Sequence, residues 1–388
     1  MASSNFSKIP TEVVENWAQY LEASDLSSFR LACRQADAQT LHTVAQRFFS
    51  TWRTSLMASD LRKLEDISMN ADLRKYVKNI HIEDDCERND AELLVAAPLE
   101  VPWTGLPHVW PRDDAQIVNA SEIGATSLRA MFMEKRFHPE TIKIRDYRKG
   151  NATASPEPAT TLARSILDGA DLAVVSIRIH KESQSVIEAT VRLSPQHQGQ
   201  DVGFSLLSSA ELCFASNDAS YWSEQLFYHA PALEDLTLSF DKPWSAQHGS
   251  MFSVGKPNLQ LIQLNLSMST LPAHIVLTIL ANSKHNLTGV SFSLMKLSQG
   301  STWRELLSSI GSDFPRLTSF NLKFLSEEES GAIKFQGLSK DRVDKEYGLG
   351  LEMFERGPQD NRRISWVRYK GPAASSVLKV VASTAVTW

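Results

Sequence analysis

The chain has 388 residues, 42% hydrophobic and 22% charged, with a formal net charge of −5 and a pI near 6.1. It is long enough for two or three compact domains, too apolar for long disorder, and too acidic for wholesale nucleic-acid binding. Its three cysteines, Cys33, Cys86 and Cys213, are too scattered for a disulfide framework or a zinc site; with no secretory leader and no bilayer-length apolar run, the expected setting is cytoplasmic or nuclear, without membrane insertion.

Residues 1–7 read as a disordered tail. After Ile9-Pro10, the apolar residues Val13, Val14, Trp17 and Leu21 fall at helical spacing. Ser24 or Asp25 is placed to cap a second helix, with Leu26, Phe29 and Cys33 at i, i+3 and i+7. Leu41, Val44 and Phe48 repeat the spacing in a third stretch, from about Gln39 to Phe49. Three short helices bury little surface alone and need a partner or a neighbouring domain. The order Ile-Pro, an acidic residue with two aliphatics, an Asp-Leu helix start and Phe29-Arg30-Leu31-Ala32-Cys33-Arg34 resembles an F-box over residues 8–50. Ile9 stands where that family has Leu, and Trp17 where it has a smaller aliphatic. The resemblance implies docking on the Skp-type adaptor of a cullin–RING ubiquitin ligase, through Ile9, Pro10, Val13, Trp17, Leu21, Leu26 and Phe29.

Residues 51–88 form the join. Trp52 to Leu56 reads as a strand, Ser59 caps a helix through Leu61, Leu64 and Ile67, and Asp72 to Val77 enters another strand. Residues 89–158 read as an irregular insertion and loop: Pro98, Pro102, Pro107 and Pro111 break the pattern, and Asn151 to Pro158 is a flexible loop. The acidic run Glu83-Asp84-Asp85 beside His81 and Cys86 is taken as a solvated turn rather than a metal site.

From 159 to 330 a repeat appears. Leu at position k is followed by apolar residues at k+3, k+5 and k+7 in units beginning at Leu172, Leu207, Leu233, Leu259, Leu287 and Leu317, the last five 26 to 30 residues apart. Pro231, Pro257 and Pro315 recur two residues upstream of a unit, marking the passage from helix to strand. Helical stretches are expected at Thr161–Leu167, Trp222–Tyr228, His274–Ala281 and Trp303–Ile310. Alternating strand and helix near this period reads as a leucine-rich-repeat-like solenoid. Its k+8 positions lack the usual Asn, and in this it resembles the irregular repeats of fungal F-box proteins. Residues 331–388, with a strand at Ile364–Tyr369, a Gly371-Pro372 turn and a helix at Ala373–Ala382, read as the solenoid's cap.

The fold class expected is therefore α/β, a three-helix F-box followed by an irregular repeat solenoid. No metalloprotease helix, nucleophile elbow or phosphate loop occurs, and Gly348-Leu349-Gly350 meets Met353 where a dinucleotide loop needs its third glycine. The expected role is that of a non-catalytic ligase adaptor, without cofactor or metal, joining a client protein to the ligase. A scaffold acting outside any ligase is the alternative, and an α/β-fold enzyme the next. If k+3, k+5 and k+7 face inward, k+4 and k+6 face a client. Those positions give Arg178, Thr237, Ser239, Gln263, Asn265, Ser291, Asn321 and Lys323 as candidates, alongside Ser176, Glu211, Cys213 and Ser293. Arg178 and Lys323 are each able to hold a phosphate, and Trp244 is placed as a rim anchor. The 89–135 insertion is the competing client site.

Overall fold

A computed structural model describes residues 9–54, 58–83, 128, 130–131, 139–146, 172–181, 185–193, 204–214, 229–244, 259–298, 300–356 and 363–387. The tail at 1–7, nearly all of the 89–135 insertion, the 151–158 loop, Pro257 and the helices expected at 161–167 and 222–228 lie outside the described residues.

The chain opens with three helices, α1 (Thr11–Tyr20), α2 (Ala23–Ala32) and α3 (Arg34–Phe49). Ala18, Leu26 and Val44 form their small core, with Leu21 and Phe49 packed against it. The buried residues of α1 are Val14 and Ala18, at i and i+4, so the stripe is turned from the one expected: Val13 and Trp17 face outward. Ala18 is small enough for α1 to approach α3 closely. Ser24 and Asp25 do not cap α2 but lie inside its first turn, the N-cap being Glu22. Nor does Cys33 extend the buried face of α2. Its Sγ accepts from the Ala36 N–H at 3.3 Å and caps α3, which therefore starts earlier than the apolar spacing indicates. Arg47 Nη1 donates to the Leu21 carbonyl at 2.6 Å, and Gln39 Nε2 to that of Ile9 at 3.1 Å, fastening α3 to both ends of α1.

The join places Phe49 against Trp52, ring centroids 6.3 Å apart, at the start of β1 (Thr51–Thr54). Helix α4 (Ala58–Met69) buries Leu61, Leu64 and Ile67, and Ser59 is its second residue rather than its cap. Asp72–Val77 is not strand: Asn70 Oδ1 accepts from the Asp72 and Leu73 N–H groups and closes the short helix α5 (Ala71–Arg74), delaying β2 (Asn79–Glu83).

A large, mostly parallel sheet dominates the rest. Its further strands are β3 (Thr141–Asp146), β4 (Leu172–Lys181), β5 (Ser185–Leu193), β6 (Ser209–Phe214), β7 (Asp235–Trp244), β8 (Gln263–Pro272), β9 (Gly289–Ser293), β11 (Ser319–Lys323), β14 (Leu351–Arg356) and β15 (Arg363–Lys370). They lie in the order β1-β2-β3-β5-β4-β6-β7-β8-β9-β11-β15-β14, antiparallel where β5 sits between β3 and β4 and at β11-β15-β14. Two apolar rungs cross it. One runs Ile80, Ile142, Ala189, Ile177, Ala210, Leu236, Leu264, Val290, Phe320, Tyr369, Leu351. The other runs Ile82, Ile144, Ile187, Ile179, Leu212, Leu238, Leu266, Phe292, Leu322, Val367. All of these side chains are buried in one continuous core.

The rungs correct the repeat register. Leu264 pairs with Leu236, so the unit read from Leu259 begins at Leu261, and the first unit begins at Val174 because Ile177 pairs with Ala210. Both errors are two residues, and an even slip leaves every side chain on its expected face. Leu207, Leu233, Leu261, Leu287 and Leu317 then share one buried place before their strands. The k+7 expectation fails in the later units. Met268, Leu294 and Phe324 occupy equivalent positions with φ of 54°, 54° and 51°, and Leu294 and Phe324 are 52% and 40% exposed. At these left-handed corners the chain leaves the main sheet for a second one, in which the end of β8, β10 (Lys296–Ser298) and β12 (Ser326–Glu327) pair in parallel. The strands β13 (Gly331–Phe335) and β16 (Ala385–Thr387) extend it. The k+8 places behind the corners hold buried Ser269, Met295 and Leu325.

Helices α6 (Ala273–Leu280) and α7 (Trp303–Asp313) follow β8 and β10, α8 (Lys340–Tyr347) follows β13, and α9 (Ala374–Thr384) follows β15; all four send buried residues into the core. Gly311 lets α9 approach α7, since a Cβ there would meet the Ser375 carbonyl at 2.9 Å. Glu327 stands in a row with buried Leu271 and Leu297, an apolar place for a carboxylate. Its Oε1 accepts from the Trp303 N–H at 2.8 Å, at the first turn of α7, where the helix dipole favours negative charge. Glu327→Ala is expected to cost about 1–3 kcal/mol by leaving that N–H unpaired, and Glu327→Gln less. Denaturant midpoints of the two variants check this.

Candidate protein-binding surfaces

Alternation along the strands sends the residues between the apolar rungs to the opposite face of the main sheet. The middle row runs Arg53, His81, Lys143, Glu188, Arg178, Glu211, Thr237, Asn265, Ser291, Asn321, Arg368, Glu352. Six of the expected client-facing residues, Arg178, Glu211, Thr237, Asn265, Ser291 and Asn321, therefore line up across neighbouring strands. Ser239 and Lys323 fall in the adjoining row, Cys213, Ser239, Ser267, Ser293, Lys323, Trp366, Phe354. Gln263 and Ser176 belong to the row on the other side, with Ser209, Asp235, Gly289, Ser319 and Lys370. The two-residue register error put them beside the wrong neighbours.

Much of this face is bonded to itself. Arg178 Nε lies 2.7 Å from Glu211 Oε2, so the guanidinium proposed for an incoming phosphate already has a carboxylate. Lys143 and Glu188 pair at 3.5 Å. Asn265 Nδ2 donates to Thr237 Oγ1 at 3.0 Å, and Asn321 Nδ2 to Ser291 Oγ at 3.2 Å. Ser239 Oγ reaches Cys213 Sγ at 3.8 Å. Gln263 Nε2 donates to Thr288 Oγ1 at 3.0 Å, and its amide lies over Gly289, where a Cβ would collide with it. Glycine at 289 is what lets that side chain lie flat. The Trp244 backbone pairs opposite Ser269 at the end of β7, and its side chain lies outside the described residues.

The β11-β15-β14 end differs. Trp366 Nε1 donates to Asn321 Oδ1 at 2.7 Å, which fixes the indole across the strand pair. Lys323 Nζ sits 5.4 Å from the centroid of the Phe324 ring, a cation–π contact. Phe354, opposite Trp366, is 53% exposed, and Arg368 Nη1 is 3.7 Å from Glu352 Oε2. None of Trp366, Arg368, Glu352 and Phe354 was among the sequence candidates. The signal was present in Trp366-Val367-Arg368-Tyr369-Lys370, an alternation in which Val367 and Tyr369 face in and Trp366, Arg368 and Lys370 face out.

A second surface lies on the N-terminal helices. Val13, Trp17 and Tyr20, at i, i+4 and i+7 of α1, are 39%, 51% and 82% exposed, and Phe48 on α3 is 42% exposed. Of the other adaptor candidates, Pro10 is exposed, Ile9, Leu21 and Phe29 are half-buried, and Leu26 is fully inside the helical core. The expected set thus divides into outward residues able to touch a partner and inward ones that hold the helices.

Among the described residues, no cluster of His, Cys, Asp and Glu is arranged to hold a metal ion, and no helix is long and apolar enough to cross a membrane. Comparison with protein-family models finds no matching family, and comparison with curated proteins finds no matching relative.

Proposed function

We propose that this chain is a substrate-recognition adaptor of a Skp–cullin–F-box ubiquitin ligase, with residues 8–50 as the F-box and the repeat region as an irregular leucine-rich-repeat-like solenoid that binds a client. The observation carrying this reading is the outward apolar stripe Val13, Trp17 and Tyr20 on a three-helix unit whose own core uses Val14, Ala18, Leu26 and Val44 instead. Three aligned exposed side chains of this size on one helix face are characteristic of a docking surface. The recurring strand, left-handed corner, second-sheet strand and helix support the solenoid part. On this reading the chain has no catalytic residue and works in the cytoplasm or nucleus. It supplies proximity, holding a client near the charged conjugating enzyme that other subunits bring.

Capture of a purified Skp-type adaptor by the full chain is the test. Trp17→Ala is expected to weaken capture by more than about 1 kcal/mol, as loss of an interface anchor does. The melting temperature should stay near that of the parent, because the side chain is already half in water. A folded parent chain that retains no adaptor, or undiminished capture by a Val13→Ala/Trp17→Ala double variant, would sink the reading.

A further inference from the structure

Over β4 to β9 many of the face's polar groups are paired across strands, Arg178 with Glu211, Asn265 with Thr237 and Gln263 with Thr288, and Asp235 adds a further carboxylate. Toward the β11-β15-β14 end the described side chains of this face include three cations, Lys323, Arg368 and Lys370, and one carboxylate, Glu352, 3.7 Å from Arg368, in a chain whose formal net charge is −5. Around them stand apolar groups held in place, Trp366 half-buried and Leu294, Phe324 and Phe354 exposed. Trp366 is pinned by Asn321, Phe324 lies under the Lys323 ammonium, Phe354 sits opposite Trp366, and Leu294 tops the neighbouring corner, its N–H donating to the Lys323 carbonyl at 2.8 Å. Leu294 and Phe324 hold their side chains outward from left-handed backbone, a conformation that costs a non-glycine residue roughly 1 kcal/mol.

We propose that this end of the sheet docks an extended segment of a partner protein bearing an apolar side chain followed, two and four residues later, by carboxylates. Trp366, Arg368 and Lys370 alternate along β15, so their side chains repeat every ~6.8 Å, the spacing of alternate residues in any extended chain. A segment lying along β15 sets its apolar group among Phe324, Trp366 and Phe354, and its two acids over Arg368 and Lys370. Lys323 stands diagonally across from Arg368 and draws the first acid from the other side. The cations are strung along the strand rather than converging on one point. That arrangement suits separate single charges better than one phosphate, which needs several donors at once. This inference rests on the sheet face being the client surface and extends that reading to the client's chemistry.

The experiment uses the full chain and a fluorescein-labelled ten-residue peptide with Leu at its fourth position and Glu at its sixth and eighth, followed by fluorescence polarisation. Replacing both Glu by Gln, or Leu by Ser, is expected to weaken binding about tenfold, and raising the salt concentration should weaken the acidic peptide selectively. Arg368→Gln and Lys370→Gln should mimic the peptide changes, while Lys63→Gln on α4 should leave binding as it was. Equal binding of the Glu and Gln peptides, or none by the Glu peptide, overturns the proposal, and because that comparison alters the peptide it does not depend on any variant folding. Binding of a phosphoserine version where the Glu peptide fails overturns it as well, in favour of a phosphate ligand. Adaptor capture by the same preparations keeps the two readings apart. Capture without peptide binding removes only the docking site, and peptide binding without capture removes only the ligase assignment.

Discussion

Replacing Phe292 by Ala is expected to lower the unfolding free energy by about 3–5 kcal/mol, the usual range for truncating a fully enclosed aromatic side chain. Phe292 has no exposed surface, lies in the inner rung between Leu266 and Leu322, and packs on Trp303 with ring centroids 5.5 Å apart. Trp303 in turn donates its indole N–H to the Ser326 carbonyl at 2.8 Å. A cavity at 292 therefore loosens the seat of α7 as well as the sheet. Leu294, only two residues on, provides the control. Simple alternation puts both side chains in the core, but the left-handed corner turns Leu294 outward. Leu294→Ala should fall within about 0.5 kcal/mol of the parent, as surface changes generally do. Equilibrium urea unfolding of the pair decides. Similar losses at both positions would mean that the corner does not exist in solution.

That pair also shows how far the sequence could be read. The inward residues of β6 to β11 were legible because one face of a strand is buried and the period is two, so apolar residues mark it even when the count of units slips by two. The mixed α/β class and the helices at 273–280 and 303–313 followed from the same patterning. Strand β5 was not legible from a search for leucines. Its buried residues are Ile187, Ala189 and Val191, and its antiparallel insertion between β3 and β4 is a matter of topology that no local spacing encodes. The corners were hidden for another reason. A left-handed position normally announces itself as Gly or Asn. Here it holds Met268, Leu294 and Phe324.

The surfaces were legible in part. Choosing the residues between inward ones found the middle row of the sheet face, but not that Arg178 is already paired with Glu211, because a cross-strand ion pair depends on register between distant segments. On α1 a one-residue rotation of the helix decides which apolar groups face outward. Val13/Trp17 and Val14/Ala18 both satisfy helical spacing, and only packing against α3 selects the second pair for the inside.

Gly350→Ala is expected to cost about 2–4 kcal/mol, and to do so locally. Gly350 has φ of 147°, a region that essentially only glycine enters, and a Cβ there would collide with the carbonyl oxygen of Lys370. That carbonyl belongs to β15 opposite the start of β14, and the Lys370 N–H donates to the Gly350 carbonyl at 3.2 Å. An added methyl group must therefore push β14 away from β15. Gly348→Ala separates strain from collision. Its φ is 86° with ψ of 165°, a region that favours glycine, and nothing lies within 4 Å of the added atom, so only the conformational cost of about 1–3 kcal/mol applies. Hydrogen exchange is the measurement. In Gly350→Ala the amides of β14 and of the β15 residues facing it should lose protection, while those of β6 to β9 keep theirs, because β14 ends the described sheet and its release removes only Leu351 from the end of one rung. Uniform loss across the sheet, or a cost no greater than that of Gly348→Ala, would contradict this placement of the strand. Since β14 carries Glu352 and Phe354, its release should also weaken any ligand held against Trp366, which links the turn at Gly350 to the basic and aromatic end of the face.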